Sequence, residues 1–211
     1  MAVFVKREAD AANFSRALSS TDFMVSPASG NYFDIKLSST LECCQLQLRI
    51  YRTDGMLGIA ELEIPEIAFY PSSLSTNMPI VDSTEYNDVY VPEYLTDGNE
   101  GTYWEAKDVN AYFVLDMGKE WQVSIITLHL PPVLTWEPRE QTIEILGSTD
   151  GVNFTTVAAA ADYLFDPQTG NRNSIVLDAP VSMRYIKLAW SSNSSLGGYG
   201  AQLSEIYVYG E

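Results

Sequence analysis

Asp97, Asn99 and Thr102 sit on one short loop, Tyr94-Leu-Thr-Asp-Gly-Asn-Glu-Gly-Thr-Tyr-Trp104, and each offers a hard oxygen to a cation. Gly98 and Gly101 supply the backbone freedom that wrapping an ion requires. Taken alone, these residues favour the plainer reading of an Asp-Gly turn ahead of a strand. Two later features shift that balance: the strand pattern downstream, and Glu205 in the last strand. Other chemistry is sparse. His129, the only histidine, lies in Ile-Ile-Thr-Leu-His-Leu-Pro-Pro, where alternation puts it on one face of a strand. No serine or carboxylate is placed by sequence to work with it. Cys43 and Cys44 are adjacent, and strand neighbours point to opposite faces, so they read as one buried and one outward thiol. An acid/base pair would have to come from Glu105 and Glu137, and no spacing requires it. The chain does not read as an enzyme.

The elements that must position these residues are strands. Helical periodicity is nearly absent, and short alternating or apolar runs recur between Gly, Pro, Asn and Asp clusters. They are Val3–Val5, Tyr32–Leu37, Gln45–Tyr51, Ile59–Ile67, Tyr112–Leu115, Ile125–Leu130, Thr142–Leu146, Ser174–Leu177, Tyr185–Trp190 and Glu205–Tyr209. The spacing predicts an all-β fold, an antiparallel sandwich. With 211 residues, 46% apolar and 12% aromatic, the chain can bury a sizeable core. Its net charge of −16, from 12 basic and 28 acidic residues, argues against nucleic acid or an anionic membrane as partner. It fits divalent cations and neutral ligands. No run approaches the roughly 18 apolar residues of a membrane span. Met1–Arg7 begins no apolar segment of signal-peptide length, which suggests a chain made without export or lacking its leader.

An internal repeat organises the rest. Asp10, Asn13, Phe14, Asp22, Pro27, Gly30, Asn31, Ile35 and Leu37 recur as Asp150, Asn153, Phe154, Asp162, Pro167, Gly170, Asn171, Ile175 and Leu177, all at an offset of 140. The match continues with Gln45–Leu48 opposite Tyr185–Leu188. With four extra residues in the second copy, Ala60–Ile64 lies opposite Ser204–Val208. Residues 1–70 therefore correspond to the second half of a unit whose complete copy spans about 80–211, with 71–79 as a linker. A half sandwich would leave an apolar face and unpaired edges. Residues 1–70 are expected to pack on the complete domain, on another chain, or to end a tandem array. The sequons at Asn13, Asn153 and Asn193 read as strand-start asparagines rather than glycan sites.

The second unit resembles a discoidin, or factor V/VIII type C, domain of the kind used as family 32 carbohydrate-binding modules. The residues that carry the likeness are Asp97-Gly-Asn with Thr102-Tyr-Trp-Glu105; Phe113-Val-Leu-Asp-Met-Gly118 with Trp121; Ile143–Phe154 with Ser148-Thr-Asp-Gly151; Arg184-Tyr-Ile-Lys-Leu188; and Gln202-Leu-Ser-Glu-Ile-Tyr-Val-Tyr-Gly210. Leu130-Pro-Pro with Trp136–Gln141 further resembles modules appended to bacterial polysaccharide-degrading enzymes. Unlike the coagulation type, this unit has no cysteine to close its ends.

The resemblance implies a jelly-roll-like sandwich with a structural Ca²⁺, held by the carbonyl of Tyr94, by Asp97, Asn99 and Thr102, and by the Glu205 carboxylate. Glu61 occupies the position of Glu205 in the half unit, but the Asp-Gly loop is absent there, so no second ion is expected. Sugar recognition needs an aromatic face ringed by groups that bind hydroxyls. The candidates are Trp136, Glu137 and Arg139 in one loop, Glu105 after the core tryptophan, and Asn193 with Tyr199 before the last strand. Tyr86 and Tyr90 could widen the platform. The function expected is a non-catalytic module that attaches a larger protein to polysaccharide or cell-surface glycan, outside the cell or on a particle. The alternative is a structural or adhesive subunit, such as a surface fibre or phage component, docked to neighbouring chains through residues 1–70.

Overall fold

The computed structural model describes residues 2–6, 15–18, 45–49, 73–195 and 197–211. The chain divides into two units, Met1–Val25 with Phe33–Ser72 and Ser26–Tyr32 with Ser73–Glu211. The expectations for Cys43, Cys44, Asn13, Glu61, Tyr32–Leu37 and Ile59–Ile67 lie outside the described residues. In the first unit, β1 (Ala2–Lys6), β2 (Ser15–Leu18) and β3 (Gln45–Arg49) form an antiparallel sheet in the order β2-β1-β3.

The second unit is an antiparallel sandwich. Its strands are β4 (Ile80–Ser83), β5 (Trp104–Glu105), β6 (Tyr112–His129), β7 (Arg139–Ser148), β8 (Thr155–Phe165), β9 (Arg172–Asn193), β10 (Gln202–Leu203) and β11 (Glu205–Gly210). The main path runs β11-β6-β9-β7-β8, with β4 also on β6 and a separate β10-β5 pair. β6 and β9 are long because each serves both layers. Phe113–Leu115 lies between β4 and Ile186–Leu188 of β9, whereas Ile125–His129 lies between β11 and Arg172–Val176. Two separate strands were expected at Tyr112–Leu115 and Ile125–Leu130. The Asp-Met-Gly-Lys-Glu stretch between them interrupts the pairing register, and there the Asp116 carboxylate accepts the Gly118 amide at 2.8 Å. Pairing then resumes at Trp121 opposite Met183, so one strand continues through it. β8 was not anticipated: its Thr-Thr-Val-Ala-Ala-Ala-Ala run lies at the sheet edge with only Val157 and Ala158 partly buried, and shows no apolar alternation.

Alternation elsewhere follows the expected period of two. Phe113, Leu115, Ile126, Leu128, Ile143, Ile145, Ile186, Leu188, Leu203, Ile206 and Val208 are fully buried between the layers. Trp104 joins Phe113 edge-on at 5.6 Å between ring centroids and Trp190 at 5.4 Å, which fixes β5 against β6 and β9. The stretch read as a linker is a correction. Residues 73–79 belong to the sandwich: Leu74 N donates to Val208 O at 2.8 Å, and the buried Ser75 hydroxyl donates to Ile206 O at 2.6 Å. A polar Ser-Ser-Leu-Ser-Thr-Asn run resembles a linker in composition, but the Ser73 and Ser75 hydroxyls pair with the edge of β11. Among the described residues no helix is long and apolar enough to cross a membrane.

Candidate functional site

Two neighbourhoods gather the residues of chemical interest. The first is the Asp97 loop. A 3-10 turn, Pro92–Leu95, starts with proline where its missing N–H costs nothing, and buries Pro92 and Leu95 as anchors. Gly98 then takes a φ of +77°, which a side chain would oppose. Asp97 Oδ1 accepts Asn99 N at 2.8 Å, and Asn99 Oδ1 accepts Gly101 N at 3.1 Å. Thr102 Oγ1 lies 2.9 Å from Asp97 Oδ2 and 2.8 Å from Asn99 O, so its one proton serves either. Tyr94 sits in the turn immediately before.

Under this loop, at the start of β11, lies Glu205, 1% exposed, with neither carboxylate oxygen hydrogen-bonded. Burial and the neighbouring Asp97 push its pKa up to about 8, opposed in part by the Gly98 and Asn99 amides. A buried carboxylate beside a second carboxylate, offset only in part by two backbone amides, is costly unless a cation neutralises both. The residues therefore fit a hard cation: two carboxylates with neutral amide, hydroxyl and carbonyl oxygens. Among the described residues no group of three or more His, Cys, Asp and Glu side chains is assembled for a metal. An ion here would depend on the neutral oxygens. His129, paired in register with Glu205, is buried with its ring edge-on to Tyr207 and its Nδ1 3.7 Å from the Glu100 carboxylate.

The second neighbourhood grows from β7. The inward face that buries Ile143 and Ile145 continues toward the start of the strand as Gln141 and Arg139, so the core gives way to polar groups at this end. Gln141 exchanges two bonds with the backbone of Gln202, 2.9 and 3.1 Å. The Gln202 side chain then bridges Arg139 Nη1, which donates to its Oε1 at 2.6 Å, and Glu105 Oε2, which accepts its Nε2 at 2.6 Å. Glu105 is placed by the β5–β10 register, directly opposite Gln202. Arg139 Nε also donates to Glu137 O at 3.3 Å, and its guanidinium lies 4.7 Å from the Trp136 ring. Burial lowers the Arg139 pKa while Glu137, Tyr199, Glu105 and Tyr103 oppose that shift.

Aromatic rings extend the surface. Trp136 meets Tyr103 edge-on at 4.8 Å, and Tyr103 stacks on Tyr90 at 4.3 Å. Burial and Tyr90 raise the Tyr103 pKa. Tyr199, half exposed, stands beside an open hollow of about 180 Å³ lined by Lys107, Asp108, Val109, Gly198, Tyr199 and Gly200. Gly200 admits no side chain, since a Cβ would stand 1.9 Å from Ala106 O.

The structure thus brings Glu105, Trp136, Arg139 and Tyr199 to one end, with the Glu137 main chain. Asn193 plays a different part: its amide donates to Gly200 O at 2.7 Å and accepts Ser195 N at 3.2 Å, clamping the loop that carries Tyr199. The Asn153 amide likewise donates to Asp150, at 2.7 Å. Sequence reasoning passed over Tyr103, Gln141 and Gln202. Tyr103 was within reach, because it neighbours core Trp104 and strand alternation turns it outward.

Residues 79–203 match the model of the F5/8 type C domain. No curated protein matches the chain by sequence. Among solved structures, the family 32 module of NanJ from C. perfringens, in complex with galactose, is 21% identical with a TM-score of 0.55, covering 65% of this chain and 98% of that one. A Clostridium perfringens family 32 module in complex with GalNAc-beta-1,3-galactose is 20% identical with a TM-score of 0.55, covering 65% and 99%. Chitosan-binding module 1 from a Paenibacillus sp. IK-5 chitosanase/glucanase is 21% identical with a TM-score of 0.53, covering 65% and 98%. These likenesses establish the fold.

Proposed function

The chain belongs to the F5/8 type C domain family, and from that premise we propose that it is a non-catalytic carbohydrate-binding module attaching a larger protein or assembly to polysaccharide or cell-surface glycan. The observation that carries the reading is a buried, hydrogen-bonded Arg139 held beneath Trp136 at the end of a Tyr90–Tyr103–Trp136 aromatic run. A pyranose ring has an apolar face for the aromatics and a rim of hydroxyls for directed donors and acceptors. Here Glu105, Gln202 and Arg139 are fixed by one another, so a sugar meets groups already oriented, which lowers the cost of ordering them. Such a site is small and its affinity modest, so the useful effect comes from several copies. A glycan array on the 211-residue chain tests this: a defined set of bound saccharides, lost on Trp136→Ala, is the expected result, and an array without any hit overturns it.

Ca²⁺ is the cation proposed for the Asp97 loop, held by Asp97 and Glu205 with Asn99, Thr102 and the Tyr94 carbonyl. When bound it would supply charge neutralisation and so lock the loop to β11. The residues themselves set the loop's shape, through the Asp97–Asn99 and Asn99–Gly101 bonds. Isothermal titration of EDTA-treated protein with Ca²⁺ checks it, with binding expected and its loss in Glu205→Gln.

A second reading has its own support. The first unit repeats the β9-β7-β8 order of the second as β3-β1-β2, which fits a tandem or assembled protein whose residues 1–70 contact other chains. Light scattering on the purified chain separates the two, a stable oligomer without glycan binding favouring assembly.

A further inference from the structure

Resting on the saccharide reading of the Trp136 surface and on the cation proposed for the Asp97 loop, we propose that the two are coupled: cation binding at the loop sets the affinity of the aromatic surface for its glycan. One closed segment of chain carries both. Its base is pinned by main-chain bonds, Glu105 N to Tyr90 O at 3.2 Å and Asn87 N to Glu105 O at 3.0 Å. The Tyr90–Tyr103 ring stack, at 4.3 Å, closes it from the side. Between those pins lie the Pro92–Leu95 turn and the Asp97 loop. The base of the segment is thus the edge of the aromatic surface, and its tip is the cation loop.

Consecutive residues on the returning side join tip to base. Thr102 turns its hydroxyl to Asp97 and to the Asn99 carbonyl. Tyr103 meets Trp136 at 4.8 Å. Trp104, fully buried, holds the strand to the core. Glu105 binds Gln202, which in turn holds Arg139 under the Trp136 ring. Adjacent residues therefore serve the loop and the aromatic surface, with none between Thr102 and Tyr103 to absorb a change in either. The outgoing side is tied to the sandwich, since Thr96 Oγ1 donates to Met78 O at 2.8 Å and Asn77 N to Thr96 O at 2.7 Å. That leaves Thr102 and Tyr103, between the tip and the Trp104 anchor, as the arm that responds. Asp97 and the buried Glu205 carboxylate act on each other at the tip, and their repulsion works against a closed loop. Holding Asp97 and Thr102 to one cation removes that repulsion and fixes Tyr103 before a sugar arrives, which lowers the ordering cost of binding. By linkage, each partner raises the affinity for the other by the same factor.

The experiment pairs a metal titration with a glycan array, both on the whole EDTA-treated chain. In the first, Ca²⁺ alone is added and Trp136 emission is followed as the difference between wild type and Trp136→Phe. That emission is expected to change and to saturate with the calorimetric Ca²⁺ curve, although Trp136 is no cation ligand. Tyr90→Ala removes one ring of the stack and no oxygen of the loop, and is expected to weaken Ca²⁺ binding at least ~2-fold. In the second, half-saturating protein concentrations on the array are compared with and without saturating Ca²⁺. Binding is expected to tighten at least ~5-fold, the lower end of typical couplings. Thr102→Val leaves every side chain of the aromatic surface in place and is expected to lose most of that gain. Array affinity indifferent to bound Ca²⁺ overturns the coupling while both earlier readings stand. Ca²⁺ affinity unchanged in Tyr90→Ala removes the Tyr90–Tyr103 stack as the link and overturns it too. If glycans bind and Ca²⁺ does not, the coupling falls with the cation reading. If no glycan binds with or without Ca²⁺, it falls with the saccharide reading.

Discussion

In the first unit β1 lies between β2 and β3; in the second, β7 lies between β8 and β9, again antiparallel on both sides. The registers correspond. Val3 pairs with Leu48 as Ile145 pairs with Leu188, and Val5 pairs with Ser15 as Gly147 pairs with Thr155. The flanking strands keep the 140-residue offset of the sequence repeat, while the central strand sits at 142. Two residues fewer in the β7–β8 connection than in the β1–β2 connection absorb the shift. The site residues lie mostly ahead of the repeated stretch. At the same offset the Asp97 loop, Trp136 and Arg139 map ahead of residue 1, so only the sheet can be compared between the copies. A sheet ladder asks only for strand-compatible residues in alternation, whereas a site asks for particular side chains on the ends and connections. Scaffold and site therefore make separate demands on the sequence.

The sharpest way to test that separation is to break scaffold and site one at a time in the second unit. Trp104→Ala removes a fully buried ring that ties β5 to Phe113 and Trp190, and is expected to cost ~3–5 kcal/mol, measured by denaturant unfolding. Trp136→Ala should divide the other way. Its ring lies on the rim of the core, so the stability loss is ~1 kcal/mol. Glycan affinity falls at least ~30-fold, the effect of truncating an anchoring aromatic. Equal loss of stability and affinity in both variants would show that site and scaffold are one structure.

The legibility of the chain follows the same division. The core strands were readable because Phe113–Leu115, Ile143–Ile145 and Ile186–Leu188 alternate with a period of two. β8 was not, because an edge strand of alanines buries too little to leave a pattern. Trp136 and Arg139 could be named from their residue types, since a tryptophan and an arginine on one connection suggest a ring platform. The bridge through Gln202 could not: it depends on β10 meeting β5, a contact between residues 97 positions apart. Asn193 had the right chemistry for a ligand, and only the 200-loop carbonyl it holds reveals its other role.

The Asp97 loop sharpens the contrast between scaffold and site through pH, because it lies against a buried carboxylate of the last strand, Glu205. In metal-free protein the folded-state pKa of Glu205 is raised from 4.5 to about 8, so the folded form holds a proton that the unfolded form releases. Its contribution is fully present below about 4.5 and is lost as pH rises through 8. Unfolding free energy is therefore expected to fall across that window without Ca²⁺. Saturating Ca²⁺ should flatten the curve by favouring the ionised form. Glu205→Gln should be flat without Ca²⁺ and indifferent to its addition. A metal-free wild type with no slope between those values would remove the case for a buried charge awaiting a cation.

The smallest effect tests where the complete unit begins. If Ser73–Pro79 only connected two units, its side chains would be interchangeable, because a linker contributes length and little else. Ser75 argues otherwise: it is fully buried, donates to Ile206 O at 2.6 Å, and stands 2.7 Å from the Ser73 hydroxyl, which in turn accepts Val208 N at 2.9 Å. Ser75→Ala strands the Ile206 carbonyl without its hydroxyl donor, and should lower unfolding free energy by ~1 kcal/mol. Thr76→Ala, one residue along and exposed, should change it by less than ~0.5 kcal/mol. The difference between the neighbours is the measurement, because each substitution removes one hydroxyl from the same short stretch and only one of those hydroxyls is buried. Equal effects would return this stretch to the role its composition suggested and move the start of the sandwich to β4.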